Sequence, residues 1–96
     1  MNILILGSGI VGANLAKKLS EQGKNVFLLD DDANELKNLS ERFDIKTIFD
    51  DPLNPSFYKN FDAKIDYFIA VTRSDEKNII TSKFDKEFLN VDKSIA

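Results

Sequence analysis

Asn2-Ile3-Leu4-Ile5-Leu6-Gly7-Ser8-Gly9-Ile10-Val11-Gly12 constrains the fold more tightly than any other part of the chain. From Ile3 to Leu6 the run is continuously apolar, which reads as a strand buried on both faces, as in a parallel sheet. Behind the glycines a helical pattern begins, with Val11, Leu15 and Leu19 at four-residue spacing and Ala13 and Ala16 beside them. A Gly-x-Gly-x-x-Gly array is a weak signal alone and a strong one on a strand-to-helix turn. Gly7 then serves the tight turn, Gly9 lets the backbone approach a pyrophosphate, and Gly12 lets the helix pack closely on the strand. The unpaired N–H groups of the first helical turn, at the positive end of the helix dipole, would face the phosphates. A glycine-rich turn can also simply join a strand to a helix.

A second apolar run, Asn25-Val26-Phe27-Leu28-Leu29, ends at Asp30, 23 residues after Gly7. An acid at that point can accept hydrogen bonds from the hydroxyls of an adenosine ribose. Gly23 is placed to close the first helix in a left-handed conformation. Asp31 and Asp32 precede a second helix with Leu36, Leu39 and Phe43 on one face, and capping is the expected role for both acids. Lys46–Phe49 reads as a third strand, ending in Asp50-Asp51-Pro52. Asn54 as cap and Pro55 at the first position open a short helix. Its Phe57, Tyr58 and Phe61 are expected in the core rather than as a base-stacking platform, because no basic residues alternate with them. Tyr67-Phe68-Ile69-Ala70-Val71 is a fourth strand, followed by Thr72-Arg73-Ser74-Asp75, which has the form of a capping box with Asp in place of Glu. A last helix carries Ile80, Phe84 and Phe88 at four-residue spacing, and Lys93-Ser94-Ile95-Ala96 is barely the start of a fifth strand.

Strands separated by helices throughout, with right-handed crossovers, predict an α/β fold: a doubly wound parallel sheet with helices on both faces. The expected strand order is 3-2-1-4(-5), Rossmann-like, with the sheet truncated after about four strands. The switch point between strands 1 and 4 would put residues 7–12 and 72–74 around one crevice. Residues 1–96 read as a single domain, a fragment of a longer protein. A fourth strand and last helix left partly uncovered predict self-association, as a dimer or higher oligomer.

With 43% hydrophobic and 30% charged residues, the 96-residue chain has the composition of a globular domain. A net charge of −3 provides no basic footprint for nucleic acid. No apolar run approaches the length of a spanning helix and no leader pattern is present, so direct membrane insertion is not expected. The sequence holds no Cys and no His, which removes thiol nucleophiles, imidazole bases and zinc sites of the usual N/S type. An intracellular setting fits the missing cysteines. No residue is singled out as a metal ligand, and no constellation of carboxylates, lysines or hydroxyls suggests catalysis.

Three stretches together resemble the TrkA N-terminal domain family, also called the KTN domain or RCK N-lobe. They are residues 2–12, residues 26–30, and Ile69-Ala70-Val71-Thr72-Arg73-Ser74-Asp75-Glu76-Lys77-Asn78. The first two are shared by many dinucleotide-binding proteins; the third is much more particular to this family. Members regulate potassium channels and transporters from the cytoplasmic side. The resemblance implies that the amides of Gly7, Ser8, Gly9, Ile10, Val11 and Gly12 hold the phosphates of NAD(H), or alternatively of ATP or ADP. It places Asp30, with Asp31 beside it, at the adenosine ribose, Asp50 on the adenine side, and Thr72 and Arg73 at the far half of the ligand.

Where the family commonly has Gly-Asp-Ala-Thr after the third strand, this chain has Phe49-Asp50-Asp51-Pro52, and only Asp50 matches. Some nucleotide-gated members carry an Arg inside the glycine loop; Ile10 and Val11 supply no such charge, which favours a dinucleotide over a triphosphate. Three successive acids at Asp30, Asp31 and Asp32 would repel a 2′-phosphate, favouring NAD over NADP. The function implied is a non-enzymatic regulatory module, cytoplasmic and peripheral to the inner membrane through its partner. That partner would be the membrane subunit of a potassium transporter or channel, whose gating responds to the ligand. The alternatives are the cofactor-binding half of an NAD-dependent dehydrogenase and a structural module with a vestigial loop.

Overall fold

The computed structural model describes residues 1–89, 91 and 93–95. Among these residues five strands form one parallel sheet: β1 (Asn2–Leu6), β2 (Asn25–Asp30), β3 (Lys46–Phe49), β4 (Tyr67–Ala70) and β5 (Lys93–Ile95). Their order in space is β3-β2-β1-β4-β5, so the chain winds one way from β1 and then reverses to place β4 on its other side. Among the described residues four helices alternate with the strands: α1 (Ile10–Glu21), α2 (Ala33–Arg42), α3 (Pro55–Asn60) and α4 (Asp75–Phe84), the last continued by a π-helical turn over Asp85–Leu89.

The two-residue period of a strand divides β1 between two cores. Ile3 and Ile5 join Val26 and Leu28 beneath α1 and α2, against Ala16, Leu36 and Leu39. Leu4 and Leu6 join Leu29, Phe68 and Ala70 on the opposite face, where Tyr58 of α3 is buried and Phe84 and Phe88 pack against them. Tyr58 meets Phe84 at a ring separation of 5.5 Å and donates its hydroxyl to the Pro52 carbonyl at 2.7 Å, which satisfies its buried polar end. Phe57 and Phe61 pack beside it, the core role expected of these rings. Asn54 and Pro55 open α3 as the sequence predicts, the Asn54 side chain accepting from the Ser56 N–H.

Several expectations are corrected by packing. On α1 the face against the sheet is Gly12 and Ala16, flanked by Leu15 and Leu19, and Val11 is 64% exposed. Contact through Gly12 turns the small residues inward, and Val11, about 100° around the helix, is carried out. On α4 the buried residues are Asn78 and Thr81, and Ile80 is 41% exposed. Asn78 is drawn inward by hydrogen bonds to Thr72, so Ile80 falls off the expected stripe while Phe84 and Phe88 keep their place against the core.

Asp32 alone caps α2, accepting from the Glu35 N–H, while Asp31 turns its own N–H to Asp30. Ser74, not Thr72, caps α4, accepting from the Lys77 N–H, because the Thr72 side chain is already engaged by Asn78. The fifth strand exists: β5 pairs along β4 from Tyr67↔Lys93 to Ile69↔Ile95, so β4 lies inside the sheet rather than at its edge. Ala96, grouped with that strand in the sequence, lies outside the described residues.

Candidate functional site

The site lies where β1 and β4 diverge to opposite windings, the place at which doubly wound sheets open a crevice beyond the strand ends. A crevice of about 670 Å³ occupies that position. The loop after β1 forms its floor. Gly7 sits at φ +112°, a conformation that L side chains rarely adopt, and donates its N–H to the Leu29 carbonyl at 3.0 Å. A Cβ on Gly12 would be driven into the Gly7 carbonyl, so this glycine sets the close approach of α1 to the turn. Gly9, at the N-cap of α1, has ordinary extended torsions and would place a Cβ with no atom within 4 Å. Its bare backbone therefore answers no packing need inside the chain, and a cradle is left that a side chain would fill. The first turn of α1 carries no acidic side chain to compete for its free N–H groups.

Asp30 closes the crevice at the end of β2. Its Oδ2 accepts from both the Ser8 N–H, at 2.6 Å, and the Ser8 hydroxyl, at 2.8 Å. Its Oδ1 accepts from the N–H groups of Asp31, at 2.7 Å, and Asp32, at 3.1 Å. Burial works to raise the carboxyl, but the donors from Ser8 and Asp31 outweigh it and hold Asp30 below the usual 3.8. The acid stays ionised and ties the glycine loop to the start of α2.

The opposite wall comes from the end of β4. The Asn78 Oδ1 accepts from the Thr72 N–H at 3.1 Å and from its hydroxyl at 2.7 Å, and the Asn78 Nδ2 donates to the Thr72 carbonyl at 3.2 Å. Asn78 thereby replaces the strand partner that Thr72 lacks beyond the sheet and holds Arg73 at the rim.

Of the sequence-predicted residues, the crevice brings together Gly7, Ser8, Gly9, Ile10, Asp30, Asp31, Thr72 and Arg73. Gly12 lies in the packing beneath it, and Val11 points to solvent. Asp50 is directed elsewhere. Its N–H donates to the Asp30 carbonyl at 3.2 Å and its Oδ1 accepts from the Asp51 N–H at 2.7 Å, and the residue lines a second, more open hollow of about 500 Å³ beside Phe27, Phe57 and Phe61. Sequence reasoning missed the Ser8 side chain, the clamp made by Asn78, and the cations Arg42 and Lys77 that line the crevice. Lys77 and Asn78 stand within the stretch that carries the family resemblance, the one signal that could have pointed to them. Among the described residues no cluster of three His, Cys, Asp or Glu side chains could hold a metal ion.

Residues 3–96 match the family model of the TrkA-N domain. The chain belongs to the TrkA-N domain family. The Trk system potassium uptake protein TrkA of Haemophilus influenzae is 32% identical to it over the whole of this chain, which covers 21% of that protein. The protein of the same name from Halomonas elongata is 37% identical over 83% of the chain and 18% of its own length. This TrkA-N chain thus spans about a fifth of the length of these relatives. Among solved structures, the NAD(P)-binding domain of an exopolyphosphatase-related protein from Archaeoglobus fulgidus superposes with a TM-score of 0.84 at 23% identity, covering 95% of this chain and 68% of that one. Serine dehydrogenase from Escherichia coli reaches 0.73 at 15% identity, covering 94% of this chain and 55% of that one. At such identities the likeness establishes the Rossmann-like fold alone. Among the described residues no helix is long and apolar enough to cross a membrane.

Proposed function

We propose that this TrkA-N chain is the nucleotide-sensing unit of a potassium-uptake regulator, binding NAD(H) in the crevice between the glycine loop and the end of β4. The observation that carries the reading is Gly9, whose open backbone at the start of α1 is left free for phosphates while Asp30 stands at the adjoining strand end. The Gly7 and Ser8 N–H groups, expected to face the phosphates, are already bonded to the Leu29 carbonyl and to Asp30, so the N–H groups at the start of α1 take the pyrophosphate, Asp30 the adenosine ribose, and Thr72 and Arg73 the distal half. Asp30, Asp31, Asp32 and Glu35 along one wall disfavour a 2′-phosphate. The potassium-uptake role rests on the names of the relatives, which also favour a regulator over the cofactor half of a dehydrogenase. In that role the unit works on the cytoplasmic side as a homo-oligomer, and ligand occupancy biases the gating of a membrane transporter or channel subunit.

ADP or ATP is the second reading. Arg73, Lys77 and Arg42 in the crevice supply the countercharge that Ile10 and Val11 do not.

Parallel calorimetric titration with NAD⁺, NADH, ADP and ATP tests both readings. Binding is expected to weaken by at least about tenfold in Gly9→Ala, whose added methyl occupies the phosphate cradle, and in Asp30→Ala. A preference for ADP or ATP moves the assignment to an adenine-nucleotide sensor. Failure of all four ligands to bind the wild type overturns the nucleotide reading.

A further inference from the structure

We propose that the Ser8 hydroxyl is a built-in competitor for the ribose, occupying on Asp30 the acceptor position that a ribose hydroxyl must take. The inference rests on the nucleotide reading above and adds a control on its affinity. A carboxylate offers about four lone-pair directions. Four donors already fill them in Asp30: the N–H groups of Ser8, Asp31 and Asp32, and the Ser8 hydroxyl. Three of these donors are backbone groups fixed by the turn after β1 and by the entry to α2. The Ser8 hydroxyl is the fourth, and it alone turns away by a single side-chain rotation.

A ribose hydroxyl that donates to Asp30 therefore displaces the Ser8 hydroxyl and leaves the loop backbone in place. Ser8 is 3% exposed, so the released hydroxyl has little access to water and its displacement carries a cost. Affinity for a ribose is set below what the Asp30 carboxylate could deliver, as befits a sensor that must release its ligand.

Alanine at position 8 keeps the amide bond to Asp30 and deletes the competitor. Titrations of wild type and Ser8→Ala would use NAD⁺ and ADP, each beside the analogue whose adenosine ribose lacks both hydroxyls. Ser8→Ala is expected to bind NAD⁺ or ADP about three- to tenfold more tightly, with no gain for the dideoxy analogues. Ser8→Cys, of similar shape but a weak donor, is expected to fall between the two and serves if the alanine variant folds poorly. Weaker binding in the variants, or an equal change for natural and dideoxy ligands, overturns the exchange and leaves the nucleotide reading intact. Absence of binding by the wild type and both variants overturns the nucleotide reading and the exchange with it.

Discussion

Gly9 and Gly12 stand three residues apart in one motif, yet the chain uses them for different ends. The Gly12 position has no room for a methyl group, because the Gly7 backbone fills it. Gly12→Ala is expected to cost at least about 3 kcal/mol in urea unfolding, at the upper end of overpacking penalties. Gly9→Ala meets no neighbour and should cost less than about 1 kcal/mol, the small preference for glycine over alanine at an N-cap. Asp30 carries a pH signature of its own. Because its folded pKa is lowered, its stabilising contribution is fully present above the unfolded value near 3.8 and is lost as pH falls through the folded value. The difference in urea midpoint between wild type and Asp30→Asn should therefore be constant near neutrality and shrink on acidification below about pH 4. A gap that widened in acid would reverse the sign assigned to Asp30.

At the scale of elements, the caps separate residues that look alike in sequence. Asp31 and Asp32 are adjacent exposed acids before the same helix, and only Asp32 reaches a first-turn N–H, that of Glu35. Thermal or urea unfolding should register about 1 kcal/mol for Asp32→Ala and for Ser74→Ala, and less than about 0.5 kcal/mol for Asp31→Ala. The same contrast explains what was legible. Strand positions, the first helix end at Gly23 with its φ of +82°, and the Asn54-Pro55 start of α3 depend on neighbouring residues alone, and all were readable. The rotation of α1 and α4 about their own axes was not. It is decided by backbone approach and polar pairing, Gly7 with Gly12 five residues on and Thr72 with Asn78 six residues on through three hydrogen bonds, and apolar periodicity does not register either.

For the whole molecule, the sheet order places the glycine loop, Asp30 and Thr72 around one crevice although up to 65 residues of chain separate them (Gly7 to Thr72). The same order leaves β5 at one edge, with Ile79 at 54% exposure beside Ile80 on α4. Adjacent exposed isoleucines on a helix are a feature that self-association covers. Light scattering coupled to size exclusion should return a dimer or larger species; a well-behaved monomer at micromolar concentration would contradict the oligomeric part of the proposal.

The class of fold and the strand order from the fingerprint strand outward were legible in the chain because apolar periodicity, glycine spacing and terminal acids are local patterns, and the family was legible through the resemblance carried by residues 69–78. The sequence also marked eight of the crevice residues through that fingerprint and the segment after β4. Three features needed the packed chain: Asp50 lines a different hollow, Asn78 clamps Thr72, and four donors saturate Asp30 before any ligand arrives. Side-chain direction at a strand end and the pairing of polar groups across the sheet depend on which elements become neighbours in space. That neighbourhood is set by the burial of two cores on opposite faces of one sheet.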